Sequence, residues 1–173
     1  MVLSVARQPD DSMLEVAREF MLDKSQLLEA DAFGPGTSVW ACDTCVASSR
    51  GFWVGHHKSD GSVELYAYLA LVSISLGGRQ AMEAKKAWTD PQWRRRGMGR
   101  ALLLKAAQST PLVSDSGGMS DDAFAQWNSP MGLTKRWWDT HARLFVEEAR
   151  VPQEHRHTAY AQGSRWQIVL EQT

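Results

Sequence analysis

Between Ala81 and Gln108 the sequence changes its hydrophobic period within a few residues, and few folds accommodate the change. Ala81 to Thr89 reads as a strand closed by Asp90-Pro91, while Met98 to Gln108, rich in Ala and Leu, reads as a helix. They are joined by Trp93-Arg94-Arg95-Arg96-Gly97-Met98-Gly99-Arg100. Strand, glycine-spaced turn, helix is the setting of an anion-binding turn. At a helix start the backbone N–H groups lack intrahelical acceptors, and the helix dipole presents its positive end. Gly97 and Gly99 remove side chains that would keep a pyrophosphate from those amides.

Around this segment, Val2 to Ala6 suits a first strand. Ser12-Met13-Leu14-Glu15 has the form of a capping box opening a helix from about 12 to 22, and a second short helix is expected through Leu27 and Leu28. Phe33-Gly34-Pro35-Gly36 stops it. Strands over 50–57 and 63–74 flank a hairpin turn at Ser59-Asp60-Gly61-Ser62, and Gly77-Gly78 makes the next turn. Pro111 to Asp115 holds a short strand, and Ser120-Asp121-Asp122 opens another helix. Trp137, Trp138, His141, Leu144 and Phe145 fit helical spacing, although Arg143 to Val146 could be a strand. Arg165 to Glu171 reads as a last strand, paired with His157 to Ala161 across Gly163. The order implies one mixed α/β domain over 1–173, with helices covering a central sheet.

With Lys+Arg at 19 and Asp+Glu at 20, the net charge of -1 provides no overall field toward nucleic acid or an anionic membrane. Any basic site is local. The apolar run from Leu65 to Leu76 is too short to cross a bilayer as a helix. No leader-like segment precedes Cys42-Asp43-Thr44-Cys45, so free thiols and a cytoplasmic location are expected. That Cys pair with His56-His57 lacks the second well-spaced pair of a zinc site, and no metal is expected. The eight tryptophans suit a core or groove and assign no function by themselves.

Two phosphate-binding signatures fit the turn poorly. A dinucleotide fold wants a third glycine where Leu102 stands, and a P-loop wants a Gly-Lys-Ser/Thr ending. An arginine-rich nucleic-acid contact stays open, since Lys85, Lys86, Arg94, Arg95, Arg96, Arg100 and Lys105 are close in sequence, but a bare basic run is ordinarily a solvated face.

Thr89 to Leu103, as TDPQWRRRGMGRALL, resembles the central motif of the GNAT superfamily of acyl-CoA-dependent N-acyltransferases. Its Arg/Gln-x-x-Gly-x-Gly/Ala signature is met by Arg94, Gly97 and Gly99, with Pro91 and Trp93 at the usual upstream proline and aromatic positions. The resemblance implies a mixed, mainly antiparallel sheet with helices on both faces and a splayed pair of central strands. It also implies acetyl-CoA or another short acyl-CoA as donor, with its pyrophosphate on the amides from Arg95 through Arg96, Gly97, Met98 and Gly99 to Arg100. The pantetheine arm would pair with the backbone of Ala87, Trp88 and Thr89, and an amide near Ala87 would polarise the acyl carbonyl. The strand at Leu112 would be the one splayed away. Dimers are common in the superfamily, so a homodimer is one expectation.

Aminolysis of a thioester needs a neutral amine, and therefore a base. Glu83, eleven residues before Arg94, matches the glutamate of histone-acetylating members and shares a strand face with Lys85, Ala87 and Thr89. Desolvation in a cleft would raise its pKa toward neutrality. The competing reading is an ion pair with Lys85 or another cation. Many members carry a tyrosine acid on the helix after the splayed strand. Trp127 stands there here, and an indole N–H is no acid at neutral pH; it suits a core or cleft wall instead. The thiolate would then leave unassisted, or be protonated by Ser114, Ser116 or water. Ser114 and Asp115 could reach an acceptor, or Asp115 or Ser116 could cap a turn. This segment with Trp127 also resembles uncharacterised acetyltransferase-like proteins encoded by bacteriophages.

The expected activity is acyl transfer, in the first instance acetyl transfer, from acyl-CoA directly to an amine acceptor, whether small molecule, protein or nucleic acid. Two other readings stay open: a non-catalytic GNAT-like binding module for a protein or nucleic-acid partner, and a transferase acting on an amine carried by a nucleic acid. No membrane partner is expected. The acceptor itself is set by loops whose shapes the sequence does not disclose.

Overall fold

The computed structural model describes residues 3–4, 25–43, 49–129, 131–160 and 162–173. The helix expected over 12–22, its capping box and Cys45 lie outside them. The chain divides into two compact units, Met1–Leu71 with Lys86–Leu102, and Val72–Lys85 with Leu103–Thr173. Two long strands, β5 (Val63–Leu76) and β6 (Arg79–Thr89), contribute to both.

In the first unit, β2 (Ser25–Glu29), β3 (Thr37–Cys42), β4 (Ser49–His57), β5 and β6 are neighbours in that order, and β1 (Leu3–Ser4) lies parallel to β5. Leu27 and Leu28 are therefore in a strand and not in the expected short helix. A segment this short cannot repay helix nucleation, whereas β3 offers it a ladder with Ser25 opposite Cys42 and Leu27 opposite Trp40. From Leu65 to Leu71 nearly every residue of β5 is buried on both faces, which is why the segment reads as a continuous apolar run and not as alternation. Cys42, Trp53, Val63, Leu65 and Tyr68 form a core against which Trp40, Ala70 and Trp88 pack. The aromatic content serves this packing, with Trp40 and Trp53 stacked at 5.2 Å.

In the second unit the neighbours run β5, β6, β7 (Leu112–Val113), β10 (Trp166–Glu171), β8 (Thr134–Asp139) and β9 (Leu144–Val146). Gly77 and Gly78, both at positive φ, make the two-residue turn between β5 and β6. β10 is antiparallel to β7 on one side and to β8 on the other, so both its edges are filled. His157 to Ala161 therefore cannot pair with it. Gln153–His157 is instead a short helix, leaving Thr158 to Tyr160 outside any strand. The helical option at Trp137 and Trp138 also fails. β8 is laddered to β10 on one edge and β9 on the other; adjacent residues of a strand point to opposite faces, and both rings are buried, Trp138 in a core with Leu76, Ala81, Val113 and Val169. Leu76, Ala81, Val113, Trp138 and Val169 form this unit's core, with Ile74 and Phe145 against it.

Helix α1 (Met98–Ala107) buries Met98, Leu102, Leu103, Ala106 and Ala107 along one side, and α2 (Asp121–Asn128) is capped by the Ser120 hydroxyl. The third helix, α3, is Gln153–His157. Among the described residues no helix is long and apolar enough to cross a membrane.

The sheet is mainly antiparallel, with one parallel pairing that bears on function. β6 and β7 share only two registered pairs, Met82 with Leu112 and Glu83 with Val113. β6 runs on to Thr89, whereas β7 stops at Val113.

Candidate functional site

The arginine turn is fixed from its first residue. Asp90, 1% exposed, accepts the Gln92 N–H at 2.8 Å and so caps the 3₁₀ turn Pro91–Trp93. Its own N–H donates to the Tyr66 carbonyl at 2.8 Å, and its carbonyl accepts from Trp93 at 2.8 Å. The Trp93 ring stacks on Tyr66 with centroids 3.9 Å apart, and the Arg96 guanidinium lies 4.3 Å from the Trp93 centroid. Two groups so close to one ring must take its two faces. Trp93 thus has no open face for a planar ligand, and Arg96 is a cation–π partner.

Beyond this stack, Arg95 has φ 62° and Gly97 φ 83°. A Cβ added at Gly97 would meet nothing within 4 Å, so the glycine is required by its conformation and not by crowding. The Ala101 N–H donates to the Gly97 carbonyl at 2.9 Å, which makes Gly97 the residue half inside α1. The N–H groups of Met98, Gly99 and Arg100 are then those without an intrahelical acceptor. Buried Met98 anchors the turn, while Arg94, Arg95, Arg96 and Arg100 are exposed. Arg94 Nε donates to the Thr89 carbonyl at 3.4 Å. Ala87 is exposed, and Trp88 packs its ring 6.0 Å from Tyr68.

The second unit contains a separate polar cluster where the β6–β7 ladder ends. Glu83, 6% exposed, accepts the Ser116 N–H at 2.7 Å, the Lys85 ammonium at 2.9 Å and Gln167 Nε2 at 3.3 Å. The ammonium also donates to Asp115 Oδ1 at 3.1 Å and to Ser116 Oγ at 3.0 Å. Its three donors thus meet three acceptors. Asp115 additionally accepts the Gly117 N–H at 2.8 Å, a turn-capping contact. Ser114 is wholly buried: its hydroxyl accepts the Ile168 N–H at 2.9 Å and bonds the Tyr160 hydroxyl, while its carbonyl accepts from Gln167 Nε2 at 2.7 Å.

Burial alone would push the Glu83 carboxyl up. The Ser116 and Lys85 hydrogen bonds and the Lys85 charge outweigh it and hold the carboxyl below its ordinary value, the opposite of the direction expected from desolvation alone. For Lys85 the loss of water is likewise outweighed by Glu83 and Asp115, which raise its pKa and keep it cationic. Burial pushes the Tyr160 hydroxyl well above its ordinary value, so it stays protonated.

The structure brings Glu83, Ser114 and Asp115 into one network and gives Glu83 the Lys85 partner of the competing reading. Trp127 lies outside it. Its buried indole, with Met131, Leu133, Lys135 and Leu170, lines a small open concavity of about 200 Å³. Tyr160 and Gln167 were not anticipated. Gln167 left a trace as the lone polar residue in Trp-Gln-Ile-Val-Leu, while Tyr160, in an irregular segment, left none.

No family model and no curated protein matches the chain. Among solved structures it is similar to a GNAT-family acetyltransferase from Staphylococcus aureus Mu50, at 11% identity and TM-score 0.40, over 71% of this chain and 68% of that one. It is similar also to the Bacillus subtilis N-acetyltransferase YlbP in complex with coenzyme A, at 15% identity and TM-score 0.41, over 70% of each chain. A third is the glucosamine N-acetyltransferase region of a fungal multi-domain β-N-acetylglucosaminidase, at 13% identity and TM-score 0.36, over 62% of this chain and 14% of that one.

Proposed function

We propose that the chain is an N-acyltransferase that takes an acyl group from acetyl-CoA or another short acyl-CoA and transfers it directly to an amine. The observation that carries this reading is the turn from Arg94 to Arg100. A left-handed Gly97 hands the chain into α1 beside exposed arginines, and β6 precedes it. The amides of Met98, Gly99 and Arg100 would take the pyrophosphate, with Arg95 and Arg100 adding charge. Arg94 and Arg96 are partly engaged with Thr89 and Trp93, so they shape the turn as well. The backbone of Ala87, Trp88 and Thr89 would align the pantetheine.

In the transfer step the amine attacks the thioester carbonyl carbon, the C–N bond forms and the C–S bond breaks, releasing CoA as a thiolate. Glu83 is the candidate base, directly or through water. Because its carboxylate is ion-paired, taking a proton requires that Lys85 move or lose its charge. Ser114 has no exposed surface, whereas Asp115 and Ser116 reach solvent and would contact the acceptor. Native mass spectrometry of the purified protein tests the donor assignment: CoA or acyl-CoA retained on the wild type and lost from Gly97→Glu supports it, and absence of any retained or added CoA opposes it.

A second reading is favoured by two observations, the exposure of the four arginines at 94, 95, 96 and 100, and, separately, the pairing of the Glu83 carboxylate with Lys85. It is a binding module without acyl transfer, holding a nucleic acid or an acidic protein. Retention on nucleic acid that falls steeply with salt, together with no CoA effect, would support it.

A further inference from the structure

The concavity beside Trp127 lies wholly within the second unit, between the end of α2 and the start of β8. Trp127, Met131 and Leu170, all buried, give it apolar walls, and Lys135 is the one charged residue that lines it. Lys135 stands opposite Leu170 in the β8–β10 ladder, so the two side chains share a face of the sheet. We propose that this concavity binds a small amphipathic monocarboxylate, its apolar body against Trp127, Met131 and Leu170 and its carboxylate on the Lys135 ammonium. The volume of about 200 Å³ exceeds the roughly 150 Å³ of an apolar cavity that admits benzene, and falls short of the 300 Å³ or so at which drug-sized ligand sites begin. One ring or short branched chain with a carboxylate fits that space.

The ammonium is positioned without being saturated. Nζ donates to Asn128 Oδ1 at 3.1 Å, lies 5.6 Å from the Trp137 ring centroid, and has both Glu148 oxygens at 3.4 Å. A charge-assisted N–H···O contact closes to about 2.7–2.9 Å, so the Glu148 contact is loose, and Glu148 itself is 49% exposed on the 3₁₀ turn Glu148–Arg150. An exposed pair of this kind contributes little, and a ligand carboxylate can take its place. The other polar groups at the rim are already engaged. Asn128 Nδ2 donates to the Phe124 carbonyl at 3.1 Å, and Ser129 Oγ to the Gln126 carbonyl at 2.7 Å. The carboxyl end of α2 repels an anion, which leaves Lys135 as its anchor and turns the apolar body toward Trp127. The site uses neither the Arg94–Arg100 turn nor Glu83, so it stands or falls apart from the acyl-CoA reading.

The test is titration of the full chain, nitrogen-15 labelled at its eight indoles, with phenylacetate in the absence of CoA. The expected result is a saturable shift of the Trp127 indole signal, assigned with Trp127→Phe, at a Kd on the order of 1 mM for a ligand of this size. Phenylacetamide, of the same shape without the charge, should bind roughly tenfold more weakly, the loss expected of one charged hydrogen bond. Lys135→Met should lose affinity for phenylacetate by a similar factor and bind phenylacetamide as the wild type does. Glu148→Gln removes the competing carboxylate and should tighten phenylacetate binding by about two- to fivefold. This variant keeps the test open should Lys135→Met fail to unfold cooperatively. Equal affinity for phenylacetate and phenylacetamide overturns the inference, as does weaker phenylacetate binding in Glu148→Gln. The absence of a saturable shift at Trp127 overturns it as well.

Discussion

The Ser116 N–H donates to Glu83 Oε1 at 2.7 Å, so that where the β6–β7 ladder stops after Glu83 and Val113 a side-chain carboxylate takes over as acceptor. Glu83 is thus a structural bridge as well as the candidate base. Glu83→Ala leaves the Ser116 N–H and the Gln167 amide without this acceptor and Lys85 with only Asp115 and Ser116. It should destabilise the protein by about 2–3 kcal/mol, as a lost charged acceptor does. Glu83→Gln keeps an acceptor oxygen and should recover more than half of that in urea unfolding.

Against burial, the Ser116 hydrogen bond and the Lys85 ammonium together hold the Glu83 carboxyl below its ordinary value. The folded carboxyl lies below its ordinary value, so the bridge adds stability above the unfolded pKa and loses it as pH falls through the folded one. In Lys85→Met burial is no longer opposed by the charge. The Glu83 carboxyl, followed by carbon-13 NMR against Glu83→Gln, should titrate at higher pH than in the wild type. An unchanged midpoint would mean that Ser116 and Gln167 alone set it.

Asp139 should show the clearest acid sensitivity. The Arg165 guanidinium, with Nε at 2.9 Å, outweighs burial and, together with the Ala142 and His141 N–H groups, holds this carboxyl down to about 2. The contribution is complete above the ordinary carboxyl value of 3.8 that the unfolded chain has, and is lost as pH falls toward 2. Asp139→Asn should flatten the stability profile over that window and leave the profile above pH 5 parallel to the wild type.

The turn before α1 separates conformation from ligand. Gly97→Ala should cost about 1–2 kcal/mol, because a side chain is strained at φ 83° even where space is open. Arg95, at φ 62°, is the converse: Arg95→Gly should be neutral to stabilising by up to about 1 kcal/mol while weakening acetyl-CoA binding. Equal affinity in Arg95→Gly would remove that arginine from the donor site.

Much of this was legible beforehand, for local reasons. The β4–β5 and β5–β6 hairpins, the strand before the turn and the helix after it each carry their own period and punctuation within about ten residues. Glu83 is pointed to by its place eleven residues before Arg94 in the motif the sequence resembles, and Asp115 by its place at the end of the strand that begins at Leu112; both fall in one polar cluster with Lys85. The failures share a cause. Leu27-Leu28 and Trp137-Trp138 are short apolar clusters whose state is decided by which strand lies beside them, and β10 finds β7 and β8 across more than 20 residues of chain. Glu83's pKa was misjudged because its partner N–H, on Ser116, is 33 residues away. Tyr160 reaches Ser114 across 46.

The central claim is acyl-CoA binding at the Gly97 turn, and thermal unfolding with and without acetyl-CoA tests it most directly. A saturable rise in melting temperature for the wild type, absent in Gly97→Glu and Gly99→Glu variants that still unfold cooperatively, is the predicted result. No shift with any short acyl-CoA, or the same shift in the glutamate variants, would contradict it.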